Sequence, residues 1–329
     1  MTTLWDTTGT AVVAALAAER RSGGAVTSGL ALTLVVVADE KDVAEAEVAA
    51  TVAASKHPMR MLLVIRRQVD LPTPRLDAEV LMGGRLGPGE AIEMRMYGRL
   101  ALHAESVTLP LLAPDAPVVT WWYGVPPDQI AHDPLGVFAD RRITDAVHAE
   151  DPVAALRQRA LDYAPGDTDL SWTRITPWRA VLASVFDTAE GTASSAVVKG
   201  DQRDPSALLL AGWLSSRLGL YVPVETMHGR GVGAVSVDFD DDTEFEARLD
   251  GSRMVLHRSH QPDTISPFPD RVLGDLLAEE LRRLDADEIY ADALGAVNDV
   301  SGLNERAAVR EHIWNDPAQT KTEPASAAG

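Results

Sequence analysis

A chain of 329 residues, 46% hydrophobic and 24% charged, is long enough for two domains with their own cores and has the composition of a folded protein, not a disordered one. Thirty basic against 49 acidic side chains give a formal net charge of −19, which repels a phosphate backbone and an anionic bilayer and sets nucleic acid and membrane aside as partners. The absence of cysteine excludes disulfides, thiol catalysis and thiolate metal sites within the chain. The opening residues MTTLWDTTGT lack the basic and apolar regions of a secretory signal, and the apolar run Leu30–Ala38 is too short to span a bilayer. The expectation is a soluble, cytoplasmic protein.

In chain order, Ala11–Arg20 reads as a helix and Leu30–Ala38 as a buried strand, with Asp39 placed to cap a helix over Lys41–Ser55. After Pro58, Arg60–Arg67 carries a strand that is apolar on both faces. Leu76–Leu81 and Glu90–Tyr97 alternate as strands on either side of the glycine-rich turn Gly83–Gly89. A short helix is predicted over Arg99–Val107, a strand over Val118–Trp122, and a helix with Pro177 in its first turn over Pro177–Asp187. Ala196–Lys199 reads as a strand, and Asp204 caps a helix Ser206–Leu218 that starts beside Pro205 and stops at Gly219. Val232–Asp240, Glu244–Leu249 and Arg253–Arg258 form an antiparallel meander, and helices over Arg271–Leu284 and Glu288–Val297 follow. This pattern predicts an α/β (α+β) chain of two related mixed-sheet domains of approximate β-α-β-β-β-α plan. Residues 1–145 would form the first, 146–190 a helical connector rich in Trp and Arg, 191–315 the second, and 316–329 a disordered tail.

No catalytic set emerges. His257 and His260 lack a third ligand at metal spacing, so no metal site is expected. The run Gly229–Gly233 precedes a strand, where a dinucleotide loop must follow one and open a helix, and its spacing is wrong. Asp238 and Asp240–Asp242 mark a solvated turn without the glycine and glutamate of a calcium loop. Ser194, Ser195, Ser215 and Ser216 occur outside any nucleophile elbow, and no cofactor is implied. His57-Pro58-Met59-Arg60 allows two readings: a His and Arg that meet a phosphate or carboxylate, or a histidine–proline helix stop.

Two segments are richest in recognition chemistry. Asp169–Arg179, DLSWTRITPWR, brings Trp172, Arg174, Trp178 and Arg179 together, and Pro117–Gly124 carries Trp121 and Trp122 ahead of Arg141 and Arg142. Tryptophan and arginine anchor protein contacts with large area and forked hydrogen bonding, but the same tryptophans serve cores equally well.

HPMR at His57–Arg60, APDAPVVTWWYGVPP at Ala113–Pro127, ADRRITD at Ala139–Asp145, DLSWTRITPWR, and LLLAGWLSSRLGL at Leu208–Leu220 together resemble the glucose-6-phosphate dehydrogenase assembly protein family, OpcA, in its actinobacterial form. The resemblance covers most of the chain. It implies a non-enzymatic effector that binds glucose-6-phosphate dehydrogenase of the oxidative pentose phosphate pathway and promotes its active oligomer or substrate affinity. Trp121, Trp122, Arg141, Arg142, Trp172, Arg174, Trp178 and Arg179 would then form or buttress the partner contact. The thioredoxin control linked to cyanobacterial relatives cannot carry over to a chain without cysteine. The other reading is a sugar-phosphate-binding protein or enzyme whose phosphate site is lined by His57, Arg60, Arg141 and Arg142.

Overall fold

β2 (Leu32–Asp39) and β3 (Met59–Arg67) are buried along nearly their whole length, the physical counterpart of apolar runs without alternation. The chain is described by a computed structural model at residues 1–22, 29–83, 89–227, 229 and 231–308. The expected tail over 316–329, the centre of the Gly83–Gly89 turn and Arg230 of the glycine run lie outside the described residues.

β2 and β3 flank α2 (Val43–Lys56) and belong to an eight-stranded sheet. Its other strands are β1 (Thr2–Leu4), β4 (Arg75–Met82), β5 (Glu90–Tyr97), β6 (Val118–Tyr123), β7 (Arg141–Thr144) and β8 (Asp167–Asp169), in the order β1-β4-β5-β3-β2-β6-β7-β8. From β5 to β8 every neighbouring pair is parallel, while β4 and β1 continue one edge antiparallel. Numbered along the chain from β2, the parallel strands lie in the order 3-2-1-4-5-6, the doubly wound arrangement whose crevice opens where the order reverses, here between β2 and β6.

Strand alternation splits the first sheet's apolar side chains between two faces. Leu34, Val36, Met61, Leu63, Trp121 and Ile143 pack under the alanines of α2 and under α8 (Leu273–Glu280). Val35, Val37, Leu62, Val64 and Trp122 pack on the other face with Val12 and Leu16 of α1 (Gly9–Ser22). α2 and α8 approach so closely that a Cβ on Gly274 would lie 2.5 Å from Cβ of Val52.

The second sheet contains β9 (Ala193–Gly200), β10 (Val224–Thr226), β11 (Val232–Phe239), β12 (Glu244–Asp250), β13 (Arg253–Arg258) and β14 (Thr264–Pro267), in the order β10-β9-β11-β12-β13-β14. β9 and β10 are parallel across α7 (Pro205–Leu218), and the rest is antiparallel. Val198, Val235, Val237, Phe245 and Met254 share a core with Leu210 and Leu214 of α7 and Leu294 of α9 (Glu288–Asn298). α7 begins as its sequence predicts: Asp204 accepts the Ser206 N–H at 2.7 Å, and Gly219 ends the helix at φ +66°.

Several expectations need correction. Asp39 does not cap α2; it remains in β2, its carbonyl accepts from the Asp42 N–H at 3.0 Å, and Asp42 takes the cap position. The helix expected over Arg99–Val107 is broken, because His103 leaves helical geometry between a 3-10 turn at Gly98–Leu102 and the single turn α3 (Glu105–Thr108). The segment 146–190 is more than a helical connector. It holds α4 (Pro152–Asp162), α5 (Leu170–Arg174) and α6 (Thr176–Thr188), but also β8, which pairs with β7 and extends the first sheet. The likeness of the two halves is confined to their parallel β-α-β starts, since the strand orders differ.

Candidate functional site

The DLSWTRITPWR segment is where one core hands over to the other. Asp169 ends β8, and its carboxylate caps α5 by accepting the Ser171 N–H at 2.9 Å, while also accepting from Thr144 Oγ1 at 2.7 Å and the Ala146 N–H at 2.9 Å. Three residues on, Trp172 enters the second core beside Tyr290, with ring centres 5.9 Å apart, and its Nε1–H donates to Asp287 at 2.9 Å. The Arg179 guanidinium carbon lies 3.6 Å from the Trp172 ring centre, and Trp178 packs against Phe268. Burial lowers the Arg179 pKa to about 10.

A buried polar seam fastens this segment to α8. Arg141 of β7 donates to Glu280 and to the Asp285 carbonyl, and the second Glu280 oxygen accepts from Thr173 Oγ1 at 2.6 Å. Arg271 donates to the Thr173 carbonyl at 2.8 Å and pairs with Glu279. The helix that follows the second sheet in sequence is thereby locked to the first sheet, where its apolar residues already lie.

At the C-terminal ends of β6–β8, Arg174 grips Asp145 through two hydrogen bonds of 2.6 Å each, and His148 Nε2 lies 3.3 Å from the same carboxylate. Burial opposes ionisation of Asp145, but Arg174 and His148 outweigh it and hold the carboxyl below its ordinary value. Asp145 in turn raises the His148 pKa against the pull of burial. Beside this trio lies a cavity of about 140 Å³ lined by Gly124, Pro126, Thr144, Ala149, Gln158 and Arg159 among others.

Trp121, Trp122, Arg141, Arg142, Trp172 and Trp178 are all buried, so within this chain they do not offer an exposed surface. Trp121 and Trp122 serve opposite faces of the first sheet. Arg142 is enclosed by Asp167 and the carbonyls of Ala139 and Pro165. Arg174 and Arg179 are half-buried at the margin of the group.

The four residues of the phosphate reading do not converge. His57 Nε2 lies 2.8 Å from the Ala278 carbonyl on the α8 side of the sheet. Arg60 points to the opposite side, where it donates to Glu90 at 2.8 Å and to the Leu111 carbonyl at 2.6 Å. Arg141 and Arg142 are likewise engaged with internal partners, Glu280 and Asp167. Among the described residues no group of His, Asp and Glu is placed to hold a metal ion.

The strand order implies a dinucleotide seat at the start of α2, but the residues there do not fit one. A pyrophosphate needs glycines for close backbone approach and exposed N–H groups at the helix start, whereas the turn reads Asp39-Glu40-Lys41-Asp42. Sequence reasoning missed both this crevice and the Asp145–Arg174–His148 trio. Asp145 and Arg174 lie 29 positions apart, so nothing local in the sequence pairs them.

Fold and site define a two-sheet α/β protein in which a doubly wound sheet, lacking a phosphate-binding loop, is clamped to a second sheet by a Trp/Arg seam. Residues 50–161 match the OpcA family of glucose-6-phosphate dehydrogenase subunit N-terminal domains, and residues 165–294 match the corresponding C-terminal domain family. Consecutive and in order, these matches take in most of the chain, which belongs to the OpcA family of glucose-6-phosphate dehydrogenase assembly proteins. A curated Synechocystis protein described as an OxPP cycle protein OpcA is 29% identical over 185 residues, 52% of this chain. The match spans only 36% of that relative's length. Among solved structures, an oxidoreductase from Sinorhizobium meliloti aligns with TM-score 0.39 and 10% identity over 80% of this chain and 86% of that one. An NAD binding oxidoreductase from Klebsiella pneumoniae aligns with TM-score 0.40 and 12% identity over 84% and 98%. At such scores neither bears on what this chain does.

Proposed function

We propose that the chain is a non-enzymatic assembly factor and allosteric effector that binds glucose-6-phosphate dehydrogenase and promotes its activity in the oxidative pentose phosphate pathway. The observation that carries this reading is the pair of consecutive matches, over residues 50–161 and 165–294, to the two domains of a glucose-6-phosphate dehydrogenase subunit. The engagement of the chain's buried arginines in internal pairs also supports a structural role for them over catalysis. None of the helices among the described residues is long and apolar enough to cross a membrane.

An effector works by binding one state of its partner more tightly than another. In this reading the buried Trp121, Trp122, Arg141, Arg142, Trp172 and Trp178 buttress the contact by fixing the elements around it. Arg174 and Arg179, at the margin of the same group, reach the partner directly.

The test is the rate of NADPH formation by the cognate dehydrogenase across a range of glucose 6-phosphate, with and without the chain, beside a co-purification assay. A saturable change in KM or kcat is expected. Unchanged kinetics with no co-purification overturns the proposal. Replacing a central Arg anchor by Ala is expected to weaken the complex by about 2 kcal/mol, roughly thirtyfold. Arg179→Ala that folds and binds as wild type removes Arg179 from the contact.

A further inference from the structure

We infer that the crevice of the doubly wound sheet is closed by the chain's own turn between β2 and α2, and that the protein binds no nicotinamide dinucleotide. Three features around the crevice combine.

The first is the backbone of that turn. Each residue from Asp39 to Asp42 carries a side chain where the fold's nucleotide-binding members need glycine to let a pyrophosphate approach. The helix start retains its positive end, but Asp42 and Glu45 already supply negative charge there. A dinucleotide would bring its phosphates against carboxylates on the side where α2 would otherwise attract them.

The second is the end of β3, where such a fold holds the adenosine ribose. An acidic residue there would receive a 2′-hydroxyl, and a free arginine would receive a 2′-phosphate. Here Arg67 is 3.3 Å from Glu40 of the turn and donates to the Tyr97 hydroxyl at 2.8 Å, with its guanidinium 5.4 Å from the centre of that ring. Arg95 of β5 lies 3.8 Å from the same Glu40 oxygen. Arg95 is held more closely by Glu93, so both cations at this end of the sheet already have carboxylate neighbours from within the chain.

The third is the opposite wall. Tyr123 at the end of β6 is buried in the core that α2 covers, and burial together with Glu45 in the first turn of that helix raises its pKa. Gly124 follows at φ +107°, and the Asp42 carboxylate lies 3.7 Å from where its Cβ would stand. The carboxylate at the start of α2 therefore stands over the join of β2 and β6 that a nicotinamide half would have to approach.

The functional consequence rests on the assembly reading above. A protein that tunes an NADPH-producing enzyme would be well placed to sense NADPH, but this chain does not.

The test titrates the intact chain, without the dehydrogenase, with NADP⁺, NADPH, NAD⁺ and NADH in turn, each to about 1 mM, the upper end of ordinary enzyme affinities. Binding is followed by calorimetry and, for the reduced forms, by energy transfer from tryptophan. No saturable signal is expected with any of the four. Saturable binding of any one of them in this range overturns the inference. Because the partner is absent, this result stands apart from whether the chain stimulates the dehydrogenase.

Discussion

The guanidinium of Arg179 lies over the ring of Trp172, its carbon 3.6 Å from the ring centre, while the indole N–H of the same tryptophan is held by Asp287 at 2.9 Å. One residue of α5 is thereby fixed from its face by α6 and from its edge by the start of α9. A cation over an aromatic face contributes about 0.5–2 kcal/mol, but the buried ring itself contributes far more through packing. Trp172→Ala is expected to lower stability by about 3–5 kcal/mol. Arg179→Lys, which keeps the charge, is expected to lower it by no more than about 1 kcal/mol. Urea unfolding of both variants checks the ranking, and equal midpoints would show that the seam does not depend on the indole.

Glu280 is buried with one oxygen on Arg141 and the other on Thr173. Removing one partner of a buried pair leaves the other charge uncompensated, so Glu280→Ala is expected to cost about 3–5 kcal/mol. The double replacement Arg141→Met with Glu280→Leu removes both charges and is expected to recover most of that loss. The unfolding free energies of wild type, both single variants and the double variant measure the coupling directly.

His148 titrates against Asp145, which raises its pKa in the folded chain. The stabilisation from the imidazolium is therefore fully present below the ordinary histidine value of about 6.5 and fades as pH rises through the raised folded value. His148→Gln should be less stable than wild type at about pH 5.5 and should match it once the wild-type imidazole is neutral. The histidine side chain is 39% exposed, so after solvent screening the difference should stay below about 1 kcal/mol. A gap that grows with pH would reverse the sign and remove His148 from the pair.

Gly219 ends α7 at φ +66° with open space around the missing Cβ. Gly219→Ala meets no clash, so its penalty is the backbone conformation alone, about 1–2 kcal/mol. Thermal melts of the variant read that figure without interference from packing.

How far the sequence could be read depended on where each element found its partners. α7 was legible to the residue because Asp204, Pro205 and Gly219 act on backbone within one turn of themselves. β8 was not, because Asp167-Thr168-Asp169 carries no apolar alternation and becomes a strand only by pairing with β7. The Trp/Arg segments could be singled out from composition, but their burial could not, since the same residue types serve surfaces and cores.

The mixed α/β class, the central apolar strands, the capped helices and the prominence of the two Trp/Arg segments are legible in the local pattern of the chain. These follow from local periodicity and short-range capping, which act over a few residues. The meeting of Arg141 with Glu280 across 139 positions, the return of α8 to the first sheet, and the placing of Glu40 beside Arg67 and Arg95 were not legible there. Those relations depend on strand order and helix return. They are set by which apolar faces can be buried together, a condition imposed on the whole chain at once.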